Sequence, residues 1–125
     1  MEITPFSTRE TTAGNGVVVL GTEGTLDMTT VNAFDARLRD FAAHGRNRVV
    51  IDMEKLLYIS SAGIGALMGF IRQFRDRGGD IKIAGANPGV YRVFELMDLT
   101  GIFQFTNTIE DALKAFDEAT HGNAA

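Results

Sequence analysis

Cysteine is absent from this chain of 125 residues. Disulfide bonds, thiol nucleophiles and thiolate metal sites are therefore all excluded. The sequence also lacks any run of about 18 or more apolar residues, the length that a membrane-spanning helix needs. Its first residues, Met1-Glu2-Ile3-Thr4-Pro5, have neither the basic start nor the apolar core of a secretion signal. We expect a cytoplasmic protein that is neither exported nor inserted into a membrane.

Positive charge is in short supply, with 12 Lys and Arg against 16 Asp and Glu and a net charge of −4. Nucleic acids and anionic membranes are bound by clustered Lys and Arg that neutralise phosphates. We therefore expect a protein or a small molecule as partner. Histidine is also scarce, and neither His44 nor His121 is placed to act as the base of a catalytic serine. The sequence gives no support to a serine protease.

Strand-like and helix-like segments alternate along most of the chain. The run of β-branched residues Val49-Val50-Ile51 is typical of a strand buried on both faces of a sheet. After it, apolar residues recur at helical spacing at Ile64, Leu67, Met68, Ile71 and Phe74. This alternation predicts an α/β domain with a mixed sheet and right-handed crossovers. We expect one domain over residues 1–119, followed by a flexible tail over residues 120–125.

Capping residues and glycines define the predicted helix ends. Asp27 is predicted to cap the first helix, and Asn87 caps the third, with a proline at the first helical position. Gly45 and Gly78-Gly79 are predicted to end the first and second helices, and Gly101 the third.

The most informative segment is Tyr58-Ile59-Ser60-Ser61-Ala62-Gly63-Ile64-Gly65-Ala66-Leu67, which runs from a strand through a polar turn into a helix. A serine at a helix start can cap the helix, or it can present its hydroxyl to solvent. If Ser61 opens the helix, the free backbone amides and the positive end of the helix dipole would stabilise a phosphate on its oxygen. The turn is therefore a structural cap, a modification site, or both.

The segment from Val49 to Leu67 resembles the signature of the STAS domain, the fold of bacterial anti-sigma-factor antagonists. Upstream, Glu23-Gly24-Thr25-Leu26-Asp27 resembles the other recurring motif of that family, a glycine and an aspartate before the first helix. The likeness covers about residues 15–118. It implies a mixed central sheet with about four helices that pack mainly on one side.

The resemblance also implies a function. In the family, the serine that matches Ser61 is phosphorylated by a partner that is both an anti-sigma factor and a serine kinase, and a PPM-type serine phosphatase resets it. The unphosphorylated form binds the anti-sigma factor and so releases a sigma factor. The family often has an acidic residue before the acceptor, where this chain has Ser60, the weaker candidate acceptor. By this resemblance the protein is not an enzyme and needs no cofactor.

The flank of the second helix nearest Ser61 is the predicted partner surface. On a helical wheel this flank carries Gly65, Gly69 and Arg72, beside Met68. The full predicted contact set is Asp27, Ser60, Ser61, Gly63, Ile64, Gly65, Met68, Gly69 and Arg72. An alternative interpretation is that the glycines only let the helix lie close to the sheet.

Three other functions remain open at this point. A constitutive STAS scaffold or transporter-associated subunit would use Ser61 only as a cap. A small-ligand or nucleotide-binding enzyme would use the loop ends around Ser61 and Asn87, although the sequence offers it no evident base or metal cluster. A receiver-like protein would be phosphorylated on Asp52, but it needs further acidic residues after the first strand to hold Mg²⁺, and the first strands here end in Gly21 or Glu23.

Overall fold

The computed structural model describes residues 5–123, and side chains for residues 5–118. Five strands alternate with four helices. The strands are β1 (Ser7–Thr12), β2 (Val18–Leu26), β3 (Arg48–Ile59), β4 (Asp80–Ala84) and β5 (Gln104–Thr106). The helices are α1 (Val31–Ala43), α2 (Ser61–Asp76), α3 (Pro88–Leu96) and α4 (Ile109–Asn123). The predicted α/β class is confirmed.

The strands form one sheet in chain order, β1-β2-β3-β4-β5. β1 is antiparallel to β2, and every later pair is parallel, so the sheet is mixed as predicted. Because each parallel step advances to the next strand in the same direction, right-handed crossovers place α1, α2 and α3 on one face. α4 follows the last strand and covers the other face, against β3, β4 and β5.

The central strand is buried on both sides, as its β-branched run predicted. Val49 and Ile51 lie in the large apolar cluster that also contains Phe34 and Phe74 of the helices. The intervening Val50 points to the opposite face, into a smaller cluster with Phe116 of α4. Successive residues of a strand alternate between faces, so consecutive apolar residues are needed where helices cover both sides, as at Val49, Val50 and Ile51.

Two of the three glycine stops are confirmed. Gly45 and Gly78 have positive φ angles of +69° and +83°, and each follows the last turn of its helix. The third prediction is wrong, because α3 ends at Leu96 and not just before Gly101. Asp98 takes the left-handed conformation there, with φ +59°, and the Leu99 amide donates to the Phe94 carbonyl at 2.9 Å. Aspartate is one of the few residues other than glycine that adopt this conformation readily.

The two remaining predicted boundaries have different outcomes. Asn87 caps α3, as its Oδ1 accepts a hydrogen bond from the Val90 amide at 2.8 Å. α4 continues past Ala119 to Asn123, and the flexible tail over residues 120–125 stays a prediction. Residues 124–125 lie outside the described part of the chain. Within residues 5–123, no helix is long and apolar enough to cross a bilayer.

Candidate functional site

The site is built where β2 and β3 extend past the rest of the sheet. The last residue of β4, Ala84, pairs with Asp52, whereas β3 continues to Ile59, which pairs with Leu26 of β2. Beyond these ends, the Ser60 amide donates to the Leu26 carbonyl at 2.9 Å. The turn that begins at Asp27 and the turn that contains the two serines therefore start side by side.

The two serines have different roles. Ser60 is the N-cap of α2, with extended backbone (φ −100°, ψ 174°), and its Oγ accepts a hydrogen bond from the Ala62 amide at 3.2 Å. Ser61 is the first residue of the helix, and its side chain is exposed. The first turn of α2 carries no acidic side chain. The positive end of the helix dipole is therefore not balanced by a carboxylate within that turn. The hydroxyl of Ser61 thus lies in a position that favours an anion.

Removing the cap should destabilise the protein more than removing the exposed hydroxyl. We expect Ser60→Ala to lower the free energy of unfolding by about 0.5–2 kcal/mol, because the Ala62 amide loses its acceptor. Ser61→Ala should have a smaller effect, and Ser60→Asp should retain the cap. Urea unfolding of the three variants measures the difference. Equal losses for Ser60→Ala and Ser61→Ala would contradict the assignment of Ser60 as the cap.

Asp27 does not cap α1, contrary to the prediction. The helix begins four residues later at Val31, with Thr30 at the N-cap position and no side-chain capping bond. The Asp27 carboxylate instead closes its own turn, where Oδ1 accepts from the amide and the hydroxyl of Thr29 at 2.8 and 2.7 Å. The hydrogen bond from the Thr29 hydroxyl has the largest effect in lowering the pKa of Asp27 below its ordinary value of 3.8, and the bond from the Thr29 amide has the next largest. The carboxylate is therefore ionised at neutral pH.

Five residues of the predicted contact set share the outward side of α2. Ser61, Gly65, Gly69 and Arg72 are exposed, and Met68 is 39% exposed. We call these five residues the Ser61 face. They recur at spacings of three and four, so they form one continuous stripe along the helix, opposite its buried side.

Two other members of that set are buried in the domain. The side chain of Ile64 is fully buried in the core. At Gly63, an added Cβ would lie 2.7 Å from Cγ of Leu26 and 2.9 Å from Cγ1 of Ile59. Both residues face the strands on which α2 begins, so the outward surface is formed by the other residues of the set, and a partner contact at Gly63 or Ile64 stays a prediction.

The glycines of α2 divide into two kinds. Gly63 is needed for the close approach of the helix to β2 and β3. At Gly65 and Gly69 an added Cβ would meet no atom within 4 Å. The alternative interpretation, that Gly65 and Gly69 only let the helix lie close to the sheet, is thus wrong, and Gly63 is the glycine of α2 that has this role.

Sequence reasoning missed one prominent residue of this region. Met28 follows Asp27 at the tip of its turn and is 80% exposed. An apolar residue directly after the glycine-aspartate motif, outside any helical or strand pattern, was the available signal. Leu57 and Tyr58, near the end of β3, are also more than half exposed, at 62% and 52%. Apolar side chains therefore lie on the surface near both strand ends.

The residues of the alternative functions are engaged in the fold. Both ends of the Asn87 amide are used, as Oδ1 caps α3 and Nδ2 donates to the Leu56 carbonyl at 3.0 Å. Asp52 Oδ1 accepts from the Glu54 amide at 3.1 Å. In the part of the chain that the structure describes, no three His, Cys, Asp or Glu side chains are grouped to hold a metal ion.

Comparison with known proteins agrees with this architecture. The family model of the STAS domain matches residues 8–112. BtrV of Bordetella bronchiseptica, which is provisionally named an anti-sigma factor antagonist, is 30% identical over 105 residues, which cover 84% of this chain and 90% of BtrV.

Solved structures share the fold. An anti-sigma factor antagonist from Mycobacterium paratuberculosis superposes with a TM-score of 0.82 at 24% identity and covers 90% of this chain and 95% of its own. The anti-sigma factor antagonist SpoIIAA matches in its unphosphorylated form with a TM-score of 0.77 at 22% identity, over 90% of this chain and 97% of its own. The Bacillus cell fate determinant SpoIIAA in its phosphorylated form matches with a TM-score of 0.69 at 22% identity, over 87% of this chain and 98% of its own. The family model matches well over half of the chain, and the chain belongs to the STAS domain family.

Proposed function

We propose that this domain is an anti-sigma factor antagonist whose binding is controlled by phosphorylation of Ser61. In its unphosphorylated form it binds an anti-sigma factor that is also a serine kinase, and a sigma factor is thereby released to act in transcription. The observation that carries this proposal is that the two serines of the turn have different structural roles. Ser60 holds the helix cap, which leaves the exposed hydroxyl of Ser61 available to a kinase.

The position of Ser61 suits a switch that leaves the fold intact. A phosphate would add about −1.5 to −2 charge at the first position of α2. The positive end of the helix favours that charge, so the domain itself tolerates it. A partner surface packed on the Ser61 face would instead have to remove water from a dianion. Binding would then be lost through charge and desolvation, without unfolding.

The glycines of the Ser61 face support a partner that approaches the helix closely. Each glycine inside a helix costs about 0.8–1.0 kcal/mol relative to alanine. The packing of the domain gives no reason for that cost at Gly65 and Gly69, where a Cβ would meet open space. A partner that contacts the helix backbone beside Ser61 would be a reason for glycine at these two positions. The likeness to BtrV and to SpoIIAA, both named antagonists of anti-sigma factors, supports the same partner class.

The proposal predicts one phosphate on one residue. The purified protein should gain the mass of a single phosphate when it is incubated with its anti-sigma factor and ATP, as measured by intact mass spectrometry. Ser61→Ala should gain no phosphate, because the remaining Ser60 hydroxyl is engaged as the helix cap. Ser60→Ala should still be modified, because it retains Ser61. A PPM-type serine phosphatase should remove the group and restore binding.

The outcomes of this experiment separate the alternatives. If the anti-sigma factor binds the protein but adds no phosphate to Ser61 in the presence of ATP, the switch is wrong and a constitutive scaffold is supported. A phosphate on Ser60 in the wild-type protein would overturn the assignment of Ser61.

A further inference from the structure

Met28 is the most exposed large apolar side chain among the described residues, at 80%. A methionine left in water contributes little to folding, since its apolar surface remains solvated. Large apolar side chains on a protein surface gain significance when they adjoin a binding site. The question is therefore whether the position of Met28 is fixed and what it adjoins.

The backbone on both sides of Met28 is held by hydrogen bonds. Asp27 Oδ1 accepts from the Thr29 amide at 2.8 Å and from the Thr29 hydroxyl at 2.7 Å. The Thr30 hydroxyl accepts from the Asp27 amide and donates to the Thr25 carbonyl, both at 2.9 Å. The Val31 amide, at the start of α1, donates to the Asp27 carbonyl at 2.8 Å. The turn is thus rigid, and it projects an apolar side chain into solvent.

The same turn is fixed to the serine turn through Leu26. Its carbonyl accepts from the Ser60 amide at 2.9 Å, and its side chain lies against Gly63, where an added Cβ would be 2.7 Å from Leu26 Cγ. Met28 is two residues beyond Leu26, and Ser61 is one residue beyond Ser60. The tip of the Asp27 turn and the Ser61 face therefore belong to one rigid edge of the domain.

We infer that Met28 is a partner-contact residue beside the Ser61 face, and that it inserts into an apolar pocket of the anti-sigma factor. This inference rests on the proposed function. A side chain on a rigid turn binds without the entropic cost of ordering a loop. Methionine is flexible and polarisable, so it fits an apolar pocket closely. The partner therefore needs an apolar pocket next to the surface that receives Ser61.

The test is the affinity of Met28 variants for the purified anti-sigma factor of the same organism, measured by surface plasmon resonance. Met28→Ala should weaken binding by about tenfold or more, mainly through faster dissociation. Met28→Glu should weaken it further, and Met28→Leu should restore most of it. The matched control is Leu96→Ala, because Leu96 is 70% exposed but is the last residue of α3 and belongs to neither the Asp27 turn nor the Ser61 face. Its affinity should equal that of the wild type.

Each outcome decides one point. If the wild-type protein does not bind the anti-sigma factor, the proposed function fails. If the wild type binds and Met28→Glu binds equally well, only the role of Met28 fails. A loss for Leu96→Ala as large as that for Met28→Ala would also overturn it. Analytical ultracentrifugation tests a second copy of this chain as the partner of Met28. The role of Met28 would also be overturned if the wild type self-associates, Met28→Glu does not, and Met28→Glu keeps the wild-type affinity for the anti-sigma factor.

Discussion

Ser61→Asp should weaken binding of the anti-sigma factor by about 100-fold or more, while Ser61→Ala binds like the wild type. An uncompensated charge at a docked surface costs about 3–5 kcal/mol, and 1.4 kcal/mol corresponds to a factor of ten. The aspartate carries only part of the charge of a phosphate, so the phosphorylated protein should bind more weakly still. Isothermal titration calorimetry with the purified anti-sigma factor measures all three proteins.

The stability of the same variants should move in the opposite direction. An acidic residue in the first turn of a helix is favourable by about 0.3–1 kcal/mol, and α2 has no other acid there. Ser61→Asp should therefore be at least as resistant to urea as the wild type. Ser61→Asn is the matched neutral control, with a similar shape and no charge, and it should retain most of the affinity. If Ser61→Asp binds as tightly as the wild type, the electrostatic mechanism is wrong.

The sequence predicted the parts of the site that depend on local spacing. The helical repeat through Ile64, Leu67 and Phe74 marked the buried side of α2, and it thereby placed Gly65, Gly69 and Arg72 on the opposite side. Periodicity has this power because a helix rotates by a fixed angle at each residue. The α/β class followed from the alternation of strand-like and helix-like segments, because each type of segment has its own spacing of apolar residues.

Other features required contacts between distant parts of the chain. Gly63 resembles Gly65 in the sequence, yet its surroundings are set by Leu26, which is 37 residues earlier and reaches it only because β2 and β3 pair. The cap at Asp27 failed because the residues that follow it form a separate turn, so the Thr29 amide that its carboxylate binds lies outside α1, which begins at Val31. The end of α3 was missed because an aspartate, Asp98, takes a conformation that sequence reasoning assigns to glycine.

Gly63→Ala and Gly65→Ala should shift stability in opposite directions, although they are two residues apart on one helix. At Gly63 the new Cβ would overlap Leu26 Cγ at 2.7 Å, and overpacking of this kind costs about 1–3 kcal/mol. The gain in helix propensity, about 1 kcal/mol, offsets only part of it. At Gly65 nothing opposes that gain, so Gly65→Ala should raise the free energy of unfolding by up to about 1 kcal/mol. Urea unfolding of both variants measures the two signs.

Binding should then distinguish a positional effect from a contact effect. In Gly63→Ala, the displaced start of α2 moves Ser61 away from the Asp27 turn, so stability and affinity for the anti-sigma factor should fall together. In Gly65→Ala, the Cβ fills the space through which the partner approaches the helix, so affinity should fall while stability rises. Gly101→Ala is the matched control, because it also meets no atom within 4 Å but lies outside α2. An affinity for Gly65→Ala equal to that of the wild type would mean that the partner does not contact the helix backbone at this position.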